Sequence, residues 1–139
     1  MKRMDHQTRR LQPGDQPLAA ALFAVMAEVF EEDRKPLSLP YLDYLLSRDD
    51  LWIIAAFANS QLIGGITAYT LPLTRTESSE LFLYDLAVLP AHQRQGAGTR
   101  LVKALRNAAA DNEDTHALDF YRAVGGTVSP VTFFTFEQP

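Results

Sequence analysis

Leu18, Leu22, Val25, Met26 and Val29 recur at spacings of three and four, so residues 16–30 predict an amphipathic helix. Upstream, HQTRRLQ (6–12) predicts a first strand. The turn Pro13-Gly14-Asp15 then offers Asp15 as the helix N-cap. EEDRKP (31–36) ends the helix in an acidic loop, and Ser38 caps a short helix, 39–47, carrying Leu42, Leu45 and Leu46. LWIIAAFA (51–58) is rich in β-branched and aromatic residues and predicts a strand. NSQ turns it back into LIGGITAYTL (62–71), interrupted by Gly64-Gly65, where a bulge is expected. The two strands predict an antiparallel hairpin. A polar loop (72–79) leads to a third strand, ELFLYDLAV (80–88). From Gly98 onward, Leu101, Val102, Leu105, Ala108 and Ala109 make one apolar helical stripe. THALDFYRAV (115–124) predicts a shorter helix stopped by Gly125-Gly126, and TVSPVTFFTFEQ (127–138) closes the chain as one or two strands. The order β-α-α-β-β-β-α-α-β defines an α+β, or mixed α/β, domain.

Composition narrows this picture. A chain of 139 residues, 47% hydrophobic and 22% charged, suits one soluble domain, 1–139, with a single core. There are no cysteines, which excludes disulfides, thiolate nucleophiles and cysteine metal sites, and which suits a cytoplasmic home. MKRMDHQTRR has basic residues without an apolar run behind them, so it does not read as a signal peptide. No run reaches the ~18 apolar residues of a membrane span. A net charge of −4 argues against a nucleic-acid partner and permits a cationic one. His6, His92 and His116 have no metal-ligand spacing with carboxylates; they read as surface histidines, and no metal is expected. Gly-x-Ser-x-Gly is missing, so serine hydrolase chemistry has no support.

The stretch joining the third strand to the next helix, Gln93-Arg94-Gln95-Gly96-Ala97-Gly98-Thr99, carries the first chemical signal. A helix start leaves backbone N–H groups unpaired at the positive end of the macrodipole. Glycines let a ligand approach that backbone closely, so the turn could hold an anion, most simply a phosphate. Arg94, Arg100 and Lys103 add positive charge nearby. On spacing alone, a tight strand-to-helix turn with no ligand explains the glycines equally well. The turn is neither a Walker loop, lacking Gly-Lys-Ser/Thr, nor a dinucleotide fingerprint.

Asp85 carries the second signal. Strict alternation along LFLYDLAV puts Phe82, Tyr84 and Leu86 on one face and Leu83, Asp85 and Ala87 on the other. A carboxylate in an apolar strand is costly unless it has a partner or a task. Partial burial would raise its pKa and suit proton transfer to or from an amine; an Asp satisfied by backbone or a buried Arg is the alternative. Tyr84 reads more often as core packing than as a catalytic group.

The strand, turn and helix LAVLPAHQRQGAGTRLV resemble the signature of the GNAT family of acetyl-CoA-dependent N-acetyltransferases, Gln/Arg-x-x-Gly-x-Gly/Ala. Ala117, Tyr121 and Gly125 in DTHALDFYRAVGG match the family's later motif, with Asp114 where most members have Asn. Ser79, Glu80, Tyr84, Asp85, Leu86, Ala87, Val88 and Asp114 further resemble the aminoglycoside 3-N-acetyltransferase branch. The resemblance implies the GNAT fold, a central mixed sheet flanked by helices. It implies that the amides of residues 93–99 wrap the diphosphate of coenzyme A, and that the backbone of Leu86, Ala87 and Val88 pairs with its pantetheine arm. It also implies an oxyanion donor at the Val88 N–H, a base at Asp85, and an acid at Tyr121 near the cofactor sulfur.

The expected substrate is a cationic amine, an aminoglycoside acetylated at the 3-amino group, which would confer antibiotic resistance. Glu28, Asp33, Glu80, Tyr84, Asp85, Asp111 and Asp114 are the candidate substrate contacts, joined in the acidic inventory by Glu113. Asp114 could also cap the 115–124 helix. For any one acidic residue a solvated face is the simpler account, above all for Glu31 and Glu32. A polyamine, a peptide or another small amine would answer to the same field, and a coenzyme A-binding protein without catalysis is the reading from a different class. One feature departs from the family. Its members place a parallel strand after the helix that here runs through Ala110, whereas AAADNED (108–114) offers no apolar β run. A fifth strand is therefore expected to be missing from this sequence, and a neighbouring chain in a homodimer could supply it.

Overall fold

The structure is a computed structural model and describes residues 4–110. Its elements are β1 (His6–Arg10), α1 (Gln16–Val29), α2 (Leu39–Leu46), β2 (Leu51–Ala58), β3 (Gln61–Pro72), β4 (Ser79–Val88), a 3-10 turn (Pro90–His92) and α3 (Ala97–Ala110). Each described strand and α-helix falls where the periodicity predicts, with ends matching or shifted by one or two residues, and the 3-10 turn was not predicted. The expected helix at 115–124, the closing strands and most of the segment that raised the question of a fifth strand lie outside the described residues. No helix among the described residues is long and apolar enough to cross a membrane.

The four strands form one sheet in the order β1-β2-β3-β4, every neighbouring pair antiparallel. Helices cover both faces. On one, Leu101, Val102 and Leu105 of α3 pack against Trp52, Ile54, Ile66, Leu81 and Leu83. On the other, Ala19, Leu22 and Met26 of α1 and Leu42 and Leu46 of α2 cover Ile53, Ala55 and Ala87. β2 is buried on both sides, which explains its nearly continuous apolar run. Fully burying each large side chain in these two layers contributes about 1.5–3 kcal/mol.

Two register shifts interrupt the sheet. Between β2 and β3, Ala56 pairs with Gly64 but Phe57 with Leu62, so Ile63 is the extra residue, immediately before the glycine pair expected to mark a bulge. Between β3 and β4, Thr67 pairs with Asp85 but Ala68 with Leu83, so Tyr84 is the extra residue. This second bulge corrects the strict alternation expected of β4. Leu81 and Leu83 face α3, and beyond the bulge Leu86 and Val88 face it too. Ala87 therefore lies on the α1/α2 side, and Asp85, two residues away on the same strand, shares that face.

Asp15 also departs from expectation. It stands at the N-cap of α1, but its carboxylate makes no capping hydrogen bond. It accepts instead from the Gln12 N–H at 2.8 Å and from Arg9 Nη2 at 2.5 Å, which closes the turn containing Gly14. Ser38 does cap α2, accepting from the Tyr41 N–H at 3.3 Å.

Candidate active site

The site is built on the exit of β4 and the turn that follows. β4 is the last strand in the described sheet order, so one of its edges faces away from β3. The Leu89 N–H donates to the Ile63 carbonyl at 2.8 Å. By antiparallel alternation the Val88 N–H and C=O therefore point to the other edge. In agreement, the Val88 carbonyl accepts from Gln93 Nε2 at 2.9 Å. Gly64 lets β3 and β4 approach closely here: a Cβ on it would lie 2.2 Å from the Ala87 carbonyl oxygen.

Beyond the 3-10 turn the backbone takes left-handed conformations at Arg94 (φ 65°) and Gly96 (φ 86°). Helix α3 begins at Ala97, one residue earlier than the apolar stripe suggests, and its first bond runs from the Arg100 N–H to the Gly96 carbonyl at 3.0 Å. The N–H groups of Ala97, Gly98 and Thr99 lie in the first turn, where a helix has no partners of its own to offer them. No acidic residue occupies that turn. The Arg100 guanidinium lies over Gly96, donating through Nη2 to the Gln95 carbonyl at 3.0 Å, while its buried Nη1 has no partner among the described residues. Left-handed turns, a bare helix start and an unpartnered guanidinium nitrogen are what a diphosphate needs, so the residues present fit coenzyme A. Gln93, Arg94, Gln95 and Thr99 are exposed on this turn, and Ala97 is buried beneath it. Lys103 is exposed farther along α3.

Asp85 sits three residues before Val88, half-buried on the α1/α2 side. Thr67 Oγ1 donates to its Oδ2 at 2.9 Å. Burial pushes the Asp85 carboxyl above the usual aspartate range, and the nearby charge of Glu32 adds to this; the Thr67 hydrogen bond and Arg34 pull the other way. Tyr69 and Tyr84 meet edge to face beside it, ring centroids 6.1 Å apart. Burial, with Tyr41, Tyr84 and Asp85 nearby, raises the Tyr69 pKa. Tyr84 is 54% exposed, which overturns the expectation of core packing: the bulge turns it outward.

The other expected site residues are placed less closely together. Leu86 and Val88 are half-buried and Ala87 is buried. Glu28 is exposed in the last turn of α1, Asp33 is exposed in the α1–α2 loop, and Glu80 pairs with Leu71 at the far end of β4. The loop carboxylate whose charge reaches Asp85 is Glu32, ion-paired with Arg34 at 3.0 Å, although the sequence suggested only a solvated face. Sequence reasoning also missed Thr67, Tyr69 and the orphaned nitrogen of Arg100. His6 and His92 are half-buried rather than surface-exposed, each with a buried Nδ1 lacking a partner among the described residues. No group of three or more His, Asp or Glu side chains among the described residues could hold a metal ion. Asp111, Asp114, His116 and Tyr121 lie outside the described residues.

Comparison with known proteins agrees with this geometry. The family model for the acetyltransferase (GNAT) family matches residues 18–125. A search of curated proteins finds no match. Among solved structures, an aminoglycoside acetyltransferase from an uncultured soil metagenomic sample, HMB0005, superposes with a TM-score of 0.76 at 28% identity, covering 98% of this chain and 99% of that one. A second soil metagenomic aminoglycoside acetyltransferase, meta-AAC0020, in complex with sisomicin, gives a TM-score of 0.75 at 25% identity, covering 96% of each chain. Aminoglycoside N-acetyltransferase AAC(6')-Iy in complex with CoA shares the fold alone, with a TM-score of 0.67 at 16% identity over 99% of this chain and 98% of that one. The sheet, the glycine turn and the helix behind it thus define an acyltransferase fold. The chain belongs to the GNAT acetyltransferase family, and acetyl-CoA is its acetyl donor.

Proposed function

We propose that this protein acetylates an amine of an aminoglycoside, the 3-amino group of the central ring, with Asp85 as the general base, and that it confers resistance to such antibiotics. The observation that carries the reading is the placement of Asp85: a half-buried carboxyl with a raised pKa, three residues from Val88 on the β4 edge that no described strand covers, and beside an exposed tyrosine. The soil-derived aminoglycoside acetyltransferases of similar shape support the substrate class.

Acetyl-CoA, when bound, supplies an activated acyl carbon and a thiolate leaving group. Residues 93–99 and Arg100 would hold its diphosphate, and the backbone of Leu86–Val88 would pair with its arm. An amine is protonated at neutral pH and has no lone pair to offer. Asp85 takes that proton, directly or through a water, and its raised pKa makes it a stronger base than an exposed aspartate. The Val88 N–H, pointing to the β4 edge away from β3, would donate to the acyl oxygen of a bound acetyl group. Tyr121 would be the acid for the cofactor sulfur as its bond to the acyl carbon breaks. Tyr84 and the carboxylates Glu28, Asp33, Glu80, Asp111 and Asp114 hold the polycation, with Glu32 added by its nearness to Asp85.

The test is thiol release from acetyl-CoA, read with a thiol-reactive chromophore. The chain has no cysteines, so the protein contributes no background. Release with gentamicin or kanamycin and loss of release in Asp85→Asn are expected. Release with spermine but with neither antibiotic would move the substrate to a simpler amine, and cofactor binding without turnover on any amine would remove catalysis from the account.

A further inference from the structure

Thr67 stands out in the sheet. It is 7% exposed and is the one buried polar or charged residue among those described. It faces Asp85 across the β3–β4 ladder, at the last regular pair before Tyr84 bulges out. Its hydroxyl is spent on Asp85 Oδ2, 2.9 Å away. A buried hydroxyl is costly to desolvate, and valine would fill the same space in an apolar strand without that cost. We infer that Thr67 is a positioning residue for Asp85: it ties down Oδ2, fixes the carboxylate plane beside the bulge, and leaves Oδ1 as the oxygen that receives the amine proton.

This rests on the assignment of Asp85 as base. The bulge explains why a tether is needed. One extra residue loosens the ladder and increases the local twist, so Asp85 is less firmly aimed than a residue in a regular strand. The hydrogen bond also favours the charged carboxylate, opposing the burial that disfavours it. Around the pair lie Glu32 and Arg34 from the α1–α2 loop, Tyr41 from α2, Tyr69 from β3 and Tyr84 from β4. Glu32 and Arg34 act in opposite directions on Asp85, so Thr67 sets its poise alongside burial.

The experiment compares Thr67→Val, which keeps the shape and removes the donor, with Thr67→Ser, which keeps the donor. Both are assayed for kcat/KM against pH, and the Asp85 carboxyl is titrated by carbon-13 NMR in the unliganded protein. Thr67→Val is expected to shift the Asp85 titration and the acidic limb of the rate profile together to higher pH. On that limb kcat/KM should fall about tenfold below wild type, the worth of one hydrogen bond to a charged group. Thr67→Ser restores most of both. A structural threonine would change the urea midpoint and leave the titration in place, which would overturn the inference. A shifted titration with an unshifted rate profile, together with an Asp85→Asn variant that still turns over, would instead remove Asp85 as base while keeping the Thr67 tether.

Discussion

Gly64→Ala probes the place where the sheet and the chemistry meet. The new Cβ would sit 2.2 Å from the Ala87 carbonyl oxygen and 2.9 Å from Val88 Cα. Both neighbours are backbone atoms, so no rotamer change relieves the contact. A comfortable carbon-to-oxygen approach is about 3.3 Å, so the exit of β4 must recede by about 1 Å. Overpacking of this kind costs about 1–3 kcal/mol. A displacement of about 1 Å in the strand that presents the Val88 N–H would lower turnover on the order of 100-fold. The assay pairs urea unfolding with kcat/KM from thiol release, corrected to equal folded fraction. Gly65→Ala is the control. Its Cβ would meet Leu22 Cδ1 at 2.5 Å and the Ile54 carbonyl oxygen at 2.8 Å, which loads α1 and β2 instead of β4. The account expects a lower urea midpoint in both variants and a large loss of turnover in Gly64→Ala alone. Equal losses of turnover in the two, or unchanged turnover in Gly64→Ala, would refute the link between the β4 exit and catalysis.

Asp85→Asn is expected to lower kcat/KM about 10²–10⁴-fold, the usual worth of a positioned base. The same variant should gain stability relative to wild type at neutral pH. The folded-state pKa of Asp85 is raised, so its contribution to stability is fully present below the unfolded pKa and is lost as pH rises through the folded one. Urea midpoints of the two proteins should therefore diverge with rising pH in that window and run parallel above it. Gly96→Ala places a side chain at φ 86°, which costs about 1–2 kcal/mol, and brings its Cβ to 3.4 Å from the Arg100 guanidinium. Calorimetry with desulfo-coenzyme A should show weaker cofactor binding, with the KM for the amine unchanged.

The order of elements was legible because β2, β3 and α3 carry strong and different periods: a continuous apolar run, a hairpin signal and a 3.6-residue stripe. The glycine turn was legible as a strand-to-helix turn, but the guanidinium over it was not, since the fold of Arg100 back over Gly96 depends on the helix starting at Ala97. Face assignment in β4 failed beyond one point. A bulge adds a residue without any composition signal of its own, and Tyr84 looks like a core tyrosine until the register to Thr67 and Ala68 is known. Asp15 stands at the N-cap as read, but its missing capping bond was not legible, because Arg9, six residues upstream, takes its carboxylate. Thr67 was invisible for a related reason. A threonine in LIGGITAYTL is ordinary strand composition, and only cross-strand pairing puts it opposite Asp85.

The central claim is that the turn from Gln93 to Thr99 holds the diphosphate of coenzyme A beside the β4 exit. Nitrogen-15 amide spectra of the chain titrated with desulfo-coenzyme A test it most directly. The account predicts that the largest shifts fall on Gly96, Ala97, Gly98 and Thr99, followed by Leu86 through Val88. Binding that leaves those amides unmoved and perturbs another surface would contradict it.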